Sequence, residues 1–438
     1  MSKRKTKKLK ELISFQKKGI TPSYSEFGQK TILVLNQKCN RNFSINLDFA
    51  SYNDLTKKKV ASDLVLRHGD ILINSTGKGT LGRVAQYFGT AQQVTVDSHM
   101  LIMRPTEELD TTFFGYALKQ YQEILMSKGI GSSGQEELDK ISLNEISISY
   151  PSDKEEQKNI AAILTALDTK ISINKKLNDN LEALAQALYD YWFVQFDFPD
   201  ENGKPYKSSG GKMVWNEELK REIPVGWHAV RLSDTCHVNA STYREKEAWR
   251  MVKYIDTSNL TNNVIGKIET FDLKIDKLPS RARRKIQDAD VLFSTVRPIQ
   301  CHYGLMLNPE PNLLVSTGFV VLSAIRNIIS PYLVFCIVSS QSVVQDMQQK
   351  AETGTSSYPS IRPEHLGDVI VPLPKERKEI MTYFEDIVEP LYRKIDMIHR
   401  NTRQLAEQRD FLLPLLMSGQ VKVGEKENVV SCQPTFIR

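Results

Sequence analysis

Several chemistries have no foothold in this chain. Among its 438 residues are five cysteines, Cys39, Cys236, Cys301, Cys336 and Cys432. They are scattered, odd in number and never spaced C-x-x-C. No disulfide framework or zinc site follows, and the expected setting is a reducing one. The seven histidines, His68, His99, His228, His237, His302, His365 and His399, show no metal-ligand spacing. No stretch approaches the roughly 18 apolar residues of a membrane span. A G-x-x-x-x-G-K-S/T phosphate loop is missing, which excludes that route to ATP hydrolysis. The Asn-Pro-Pro-aromatic signature of adenine amino-methyltransferases is missing too. Asn308-Pro309-Glu310 comes nearest, but it lacks the second proline and the aromatic. Nothing marks a nucleophile elbow. The excess of one charge sign is also small: the net value is +6, compatible with a polyanionic partner without demanding one. With 40% hydrophobic and 25% charged residues, the composition is that of an ordinary foldable chain.

What is present is a repeat. Ile160, Leu164, Leu167 and Ile171 recur 220 positions later as Ile380, Phe384, Ile387 and Leu391. Asp70-Ile71-Leu72-Ile73 recurs at the same offset as Asp290-Val291-Leu292-Phe293. Gly131-Ser132-Ser133 returns as Gly354-Thr355-Ser356, and Pro151 as Pro374, both 223 positions on. The chain therefore predicts two similar heads, each followed by a long helix. Two heads suit a long, repetitive partner such as nucleic acid.

The expected fold class is α/β (α+β): two copies of a mixed head, joined by two long helices in an antiparallel coiled coil with an internal pseudo-two-fold repeat. The expected boundaries are a first head over 1–150, a long helix over 151–195, a linker over 196–224, a second head over 225–373, a second long helix over 374–418 and a tail over 419–438. The first helix has a seam of Ile160, Leu164, Leu167, Ile171, Leu177, Leu181, Leu184 and Leu188, spaced mostly three and four apart. The second has Ile380, Phe384, Ile387, Leu391, Ile395, Ile398, Leu405 and Leu412. Such a narrow stripe marks a coiled-coil seam. Asn174 and Thr402 fall on it, and polar seam residues fix register at a cost in stability. Ser152 or Asp153 can cap the first helix, and Pro414 is expected to end or kink the second near Leu413. At about 40 residues each helix is about 60 Å long. The second head lies between the helices, so antiparallel pairing with one head at each end is expected.

The linker is rich in turn residues, yet Tyr191-Trp192-Phe193 and Phe198 are too apolar to be free, so they should pack on a head or a partner. In the heads, 65–74, 144–150, 291–295, 319–322 and 369–373 are expected strands, while 113–126 and 331–347 are expected helices. The basic run Lys3, Arg4, Lys5, Lys7, Lys8 and Lys10 has no apolar run after it, so it is not a secretory signal. It is expected to be a solvated tail or, more sharply, a phosphate-contacting arm.

Gly77-Lys78-Gly79-Thr80-Leu81-Gly82 matches G-x-G-x-x-G, but the residues from Arg83 to Phe88 alternate like a strand. A dinucleotide site needs a helix there, so a glycine-rich hairpin is expected. Its Lys78, Thr80 and Arg83 suit a DNA backbone or base edge. Glu156-Gln157-Lys158 and Glu376-Arg377-Lys378 contain the E-x-K fragment of many nucleases, but both fall in first helical turns, where capping and surface charge explain them. Arg281, Arg283 and Arg284 belong to a dense cationic patch ending at Lys285, and Arg297 follows Ser294-Thr295-Val296. The polar loops holding Ser132, Ser133 and Gln135, and Thr355, Ser356, Ser357 and Tyr358, sit at matching places. Arginine and glutamine can address base edges, while lysine and serine more often hold phosphates.

Order, duplication and spacing together resemble the specificity subunits of type I restriction–modification systems. The phrases that carry the resemblance are Gly69-Asp70-Ile71-Leu72, the run from Pro151 through Glu156-Gln157 to Ile160, Ile223-Pro224-Val225-Gly226-Trp227 and the run from Gly354 to Ile361. The second helix departs by carrying Arg377 where glutamine is usual, a surface difference. The resemblance implies two target-recognition domains, each addressing one half of a bipartite, asymmetric site on double-stranded DNA. It implies a non-catalytic chain whose helices set the spacer and dock two modification subunits. Those partners bind S-adenosylmethionine and methylate adenine. Restriction subunits add ATP- and Mg-dependent translocation and cleavage. A bacterial or archaeal cytoplasm, with no membrane, is the implied location. The alternatives are a self-sufficient methyltransferase or nuclease, and a coiled-coil scaffold unrelated to DNA.

Overall fold

The computed structural model describes residues 3–77, 79–89, 92–127, 129–130, 136–353, 359–375 and 378–423. The chain forms two compact units: residues up to Ser172 together with those from Arg403 onward, and Ile173–Thr402. Each unit therefore holds one head and a stretch of both long helices.

In the first unit, Arg4–Lys8 pairs antiparallel with Ser147–Pro151. One four-stranded sheet runs in the order Ile13–Lys18, Met100–Pro105, Ile71–Asn74, Val84–Gln86. A second runs Val94–Val96, Thr31–Leu35, Ser51–Asp54, Tyr24–Ser25, with its first two strands parallel. Strand neighbours point to opposite faces. Thus Met100 and Ile102 join Leu33, Leu35, Val94 and Val96 between the sheets. Leu101 and Met103 join Phe113 and Phe114 of helix Thr111–Gln120 on the other side. Both faces are covered, which is why this strand is apolar without alternation.

The second unit repeats the plan. Trp227–Arg231 pairs with Ile370–Pro374. Cys236–Val238, Phe319–Ala324, Asp290–Ser294 and Tyr303–Met306 form the matching first sheet. The other sheet runs Glu269–Asp272, Met251–Ile255, Leu313–Ser316, Ala282–Lys285, with the middle pair parallel. The two heads differ at this sheet's edge. Tyr24–Ser25 is added beyond Ser51–Asp54 in one, and the basic strand Ala282–Lys285 beyond Leu313–Ser316 in the other.

Several elements depart from expectation. The 65–74 strand shortens to Ile71–Asn74, behind a 3-10 turn at Ser62–Leu64. The 144–150 strand begins at Ser147, because Asp139 caps a short helix, Lys140–Asn144. Both head helices break in two, at Tyr121 and at Ser340, whose extended backbone and hydroxyl cap restart the helix. The basic N-terminal run is neither tail nor arm: it is a paired strand, with Lys7 bound to Glu108 and Lys10 to Glu145. The segment 196–224 is more than a linker. Phe196 and Phe198 are buried, Phe198 stacks on Trp227 at 5.1 Å, and Met213–Asn216 pairs with Arg221–Pro224.

The long helices span Lys154–Tyr189, continued by a π turn at Asp190–Val194, and Lys378–Ser418. The second does not end at Pro414. Leu413, Leu416 and Met417 are buried in the first head's core, and that burial outweighs the lost hydrogen bond. The seam also needs correction: Leu177 and Leu184 are 38% and 56% exposed. The seam passes instead through Asn174, Asn178, Leu181 and Ala185. Asn178 and Ala185 are buried, and Leu181 packs beside the core. In the second unit, Asn174 Nδ2 donates to Asn401 Oδ1 and Thr402 Oγ1, both at 3.1 Å, an antiparallel match. In the first, Asp168 accepts from Arg409 Nη1 at 2.7 Å and from the Tyr116 hydroxyl at 2.8 Å, again antiparallel. Gln157 is not a surface residue. It is fully buried, accepts from Asp110 N at 2.7 Å and donates to the Glu108 and Pro151 carbonyls. The Glu-Gln phrase is thus a clip between helix and head. Glu376 and Arg377 lie outside the described residues.

Two buried charges in the first unit have opposite consequences. Arg104 grips Asp70 through both guanidinium arms at 2.7 and 2.8 Å and stacks over Phe15. At the repeat position Asp290 faces Ser323 instead, and burial pushes its carboxyl up. Arg104→Met leaves Asp70 buried and uncompensated, so we expect a loss of about 3–5 kcal/mol in denaturant unfolding. Lys119 is different. Its Nζ lacks a hydrogen-bond partner among the described residues and lies 3.8 Å from Asp168, which Arg409 and Tyr116 already satisfy. Burial pulls its pKa from 10.5 to about 8 despite the Asp168 charge. Lys119→Met should therefore stabilise the protein by about 1 kcal/mol. The folded pKa is the lower one, so the gain is full below pH 8 and shrinks as pH rises toward 10.5; melting curves across that window test it.

Candidate nucleic-acid interface

Three loops meet at one end of each head, joined by backbone hydrogen bonds. In the first unit Ser75 N donates to His99 O and Leu138 N to Ser75 O, both at 2.8 Å, and Thr76 bridges Glu137. In the second, Thr295 N donates to Gly318 O and Ile361 N to Thr295 O, again at 2.8 Å, and Val296 bridges Ser360. The same junction is built twice from different side chains.

Several expected contact residues converge there. Gly77, Gly79 and Gly82 take positive φ in the hairpin between Ile71–Asn74 and Val84–Gln86. No helix follows, so the dinucleotide reading falls. Thr80 Oγ1 braces the turn against the Gly77 carbonyl at 3.3 Å, and Arg83 Nη2 donates to Gly79 O at 2.9 Å. Lys78, Ser132, Ser133, Gln135, Thr355, Ser356, Ser357 and Tyr358 lie outside the described residues. Their neighbours Glu137 and Ser360 are in the junctions. Arg297, exposed and left-handed at φ 46°, is tied by its N–H to Pro359 O at 3.0 Å.

The cationic patch divides. Arg281 is exposed, and its carbonyl accepts from Thr317 N at 2.8 Å, so it flanks the second junction. Arg283 pairs with Glu245 at 3.1 Å, and Lys285 with Glu247 at 2.6 Å over the Trp249 ring. Burial lowers the Arg284 pKa, and its Nε has no partner among the described residues. Only Arg281 of the patch is therefore well placed for an outside anion. Sequence reasoning missed Gln37, Thr76, His99 and Thr317, because isolated polar residues carry no pattern until loops bring them together.

The helices carry a second stripe beside their seam. Leu177, Leu184 and Tyr191 are exposed at seven-residue spacing. Met397 and Phe411, 220 positions after Leu177 and Tyr191, are exposed at 61% and 68%, as is Tyr383 at 52%. The signal is in the sequence: the heptad spacing of Leu177 and Leu184 marks the face beside the seam, not the seam itself.

A family model described as the type I restriction modification DNA specificity domain matches residues 1–183. The chain is similar to type I restriction specificity subunits. Over 300 residues it is 27% identical to the type I restriction enzyme MjaIX specificity subunit of Methanocaldococcus jannaschii, covering 67% of this chain and 65% of that one. Over 184 residues it is 28% identical to the type I restriction enzyme HindI specificity subunit of Haemophilus influenzae, covering 41% and 39%. The chain thus spans less than two thirds of the length of these two relatives. The crystal structure of a type I restriction-modification S subunit from M. genitalium has the same fold, with a TM-score of 0.56 at 17% identity, covering 95% of this chain and 96% of that one. Residues 1–183 hold the first junction, and the sheet topology it belongs to recurs over the second head. Among the described residues no helix is long and apolar enough to cross a membrane.

The ion pairs sort the cations of the patch. In a duplex-binding assay Arg281→Ala should weaken binding and flatten its salt dependence by about one phosphate contact. Arg283→Ala should change neither. Binding isotherms across a salt series test both.

Proposed function

We propose that this chain is the DNA-recognition subunit of a type I restriction–modification assembly. Each head addresses one half of a bipartite, asymmetric target. The observation that carries the reading is the junction built twice with unlike side chains: Gln37, Thr76 and His99 in one head, Arg281, Arg297 and Thr317 in the other. Identical heads would fit a palindrome, whereas unlike heads fit two different half-sites. The kinship with specificity subunits supports the same reading.

The chain supplies recognition and leaves chemistry to its partners. Two modification subunits would bind S-adenosylmethionine and methylate adenine. Restriction subunits would bring ATP- and Mg-dependent cleavage, in a bacterial or archaeal cytoplasm. The exposed stripe of Leu177, Leu184, Tyr383 and Met397 is the docking face for helices of the modification subunits, because water-facing apolar heptads gain by burial against a partner helix.

Genome-wide adenine-methylation mapping with and without the gene tests this. One split motif should vanish on deletion; an unchanged methylome in a strain that expresses the protein refutes it. Purified alone, with DNA and S-adenosylmethionine or Mg, the chain should be inert. Leu177→Glu with Leu184→Glu should abolish co-purification with the modification subunit and leave the melting temperature within about 1 °C, since these side chains face water.

A further inference from the structure

We infer that His99 selects a base bearing an exocyclic amino group, through a ring acceptor whose polarity is set by Thr76 and Gln37. This rests on the function proposed above and deepens it. His99 is exposed at the first head's junction, but its backbone is clamped on both sides. Its N–H donates to Asp97 Oδ1 at 2.9 Å, and its carbonyl accepts from Ser75 N at 2.8 Å. Its ring Nδ1 lies 2.7 Å from Thr76 Oγ1. The same hydroxyl lies 3.4 Å from Gln37 Oε1.

The direction of the protons follows from the end of this chain. Both contacts are hydrogen bonds only if the single Thr76 hydroxyl proton goes to Gln37, whose amide oxygen can only accept. Thr76 then accepts, and the neutral imidazole donates to it from Nδ1. The other ring nitrogen, Nε2, is left as a lone-pair acceptor. In the major groove, only adenine N6 and cytosine N4 offer donors to such an acceptor. Guanine and thymine present acceptors there and are rejected.

The arrangement is built rather than incidental. A Cβ on Gly77 would come within 2.4 Å of both Gln37 Oε1 and Thr80 Oγ1, and its φ of +108° is one that L side chains rarely adopt. The glycine at this turn makes room for the Gln37 amide, the group that orients the relay. Gln37 is itself anchored, because its carbonyl accepts from Asn74 Nδ2 at 3.0 Å.

The test uses the chain assembled with its modification subunits and a substrate pool randomised over the target. Wild type should favour adenine or cytosine at one position of one half-site, and its motif shows which. Thr76→Val keeps the shape but removes the hydroxyl, so the ring takes either tautomer. Discrimination at that position should fall about tenfold or more, with the other half-site unchanged. His99→Lys replaces an acceptor by donors and should move the preference toward guanine or thymine, a gain no structural role would produce. A wild-type half-site motif left intact by both variants overturns the inference, as does a loss of activity that only tracks a lowered melting temperature. If the wild-type assembly leaves no split motif, the proposed function itself fails.

Discussion

Neither head closes its core without the helices. In the first unit Ile160, Ala161, Leu164, Leu413, Leu416 and Met417 share one cluster with Ile71, Leu101 and Phe113. In the second, Ala185, Tyr189, Phe384, Val388 and Tyr392 share one with Val291, Phe293 and Phe335. The central strand of each head is covered on one face by the other sheet. Its second face needs the head helix, which in turn needs the long helices. A head cut away from them would expose a continuous apolar surface, and helix residues that serve both the seam and a head have little room to vary. The helical half of the repeat therefore agrees in sequence where the loops do not.

That constraint explains what was legible. The seam at Ile160, Leu164 and Ile171, and that of the second helix at Ile380, Phe384 and Ile395, could be recognised because burial enforces a period. The polar register marks Asn174 and Thr402 were legible for the same reason, since a polar residue breaks an otherwise apolar rhythm. Leu177 and Leu184 misled because both the seam and its neighbouring face are apolar at seven-residue spacing, and leucine alone does not say which face it is on. Gln157 misled in the opposite sense: a polar residue in a first helical turn ordinarily faces water, and only the Glu108–Asp110 and Pro151 backbone shows that it is a buried clip.

The candidate interface was legible only in part, and for a different reason. Glycine and arginine announce themselves, so the hairpin at Gly77 and the patch at Arg281 stood out. What their charges do was hidden, since Glu245 and Glu247 come from a separate turn and neutralise Arg283 and Lys285. Gln37, Thr76 and His99 are far apart in sequence and become one group only when three loops are stitched together.

Both heads bury helix side chains in their cores, and each adds fixing contacts of its own. The first fixes its helices through Tyr116, Asp168 and Arg409, with Lys119 buried nearby on an incomplete set of partners. The second uses aromatics: Phe193 meets Phe384 edge-on at 5.1 Å, and Phe335 meets Tyr392 at 5.4 Å. Apolar contacts are non-directional and tolerate small shifts, whereas a hydrogen-bonded ion cluster has one good geometry. The first head's attachment is therefore the more sharply specified and the more sensitive to proton and salt. The second is held by area. The duplicated plan leaves the fold common to both heads and lets the means of holding it, like the side chains at the loop junctions, differ between them.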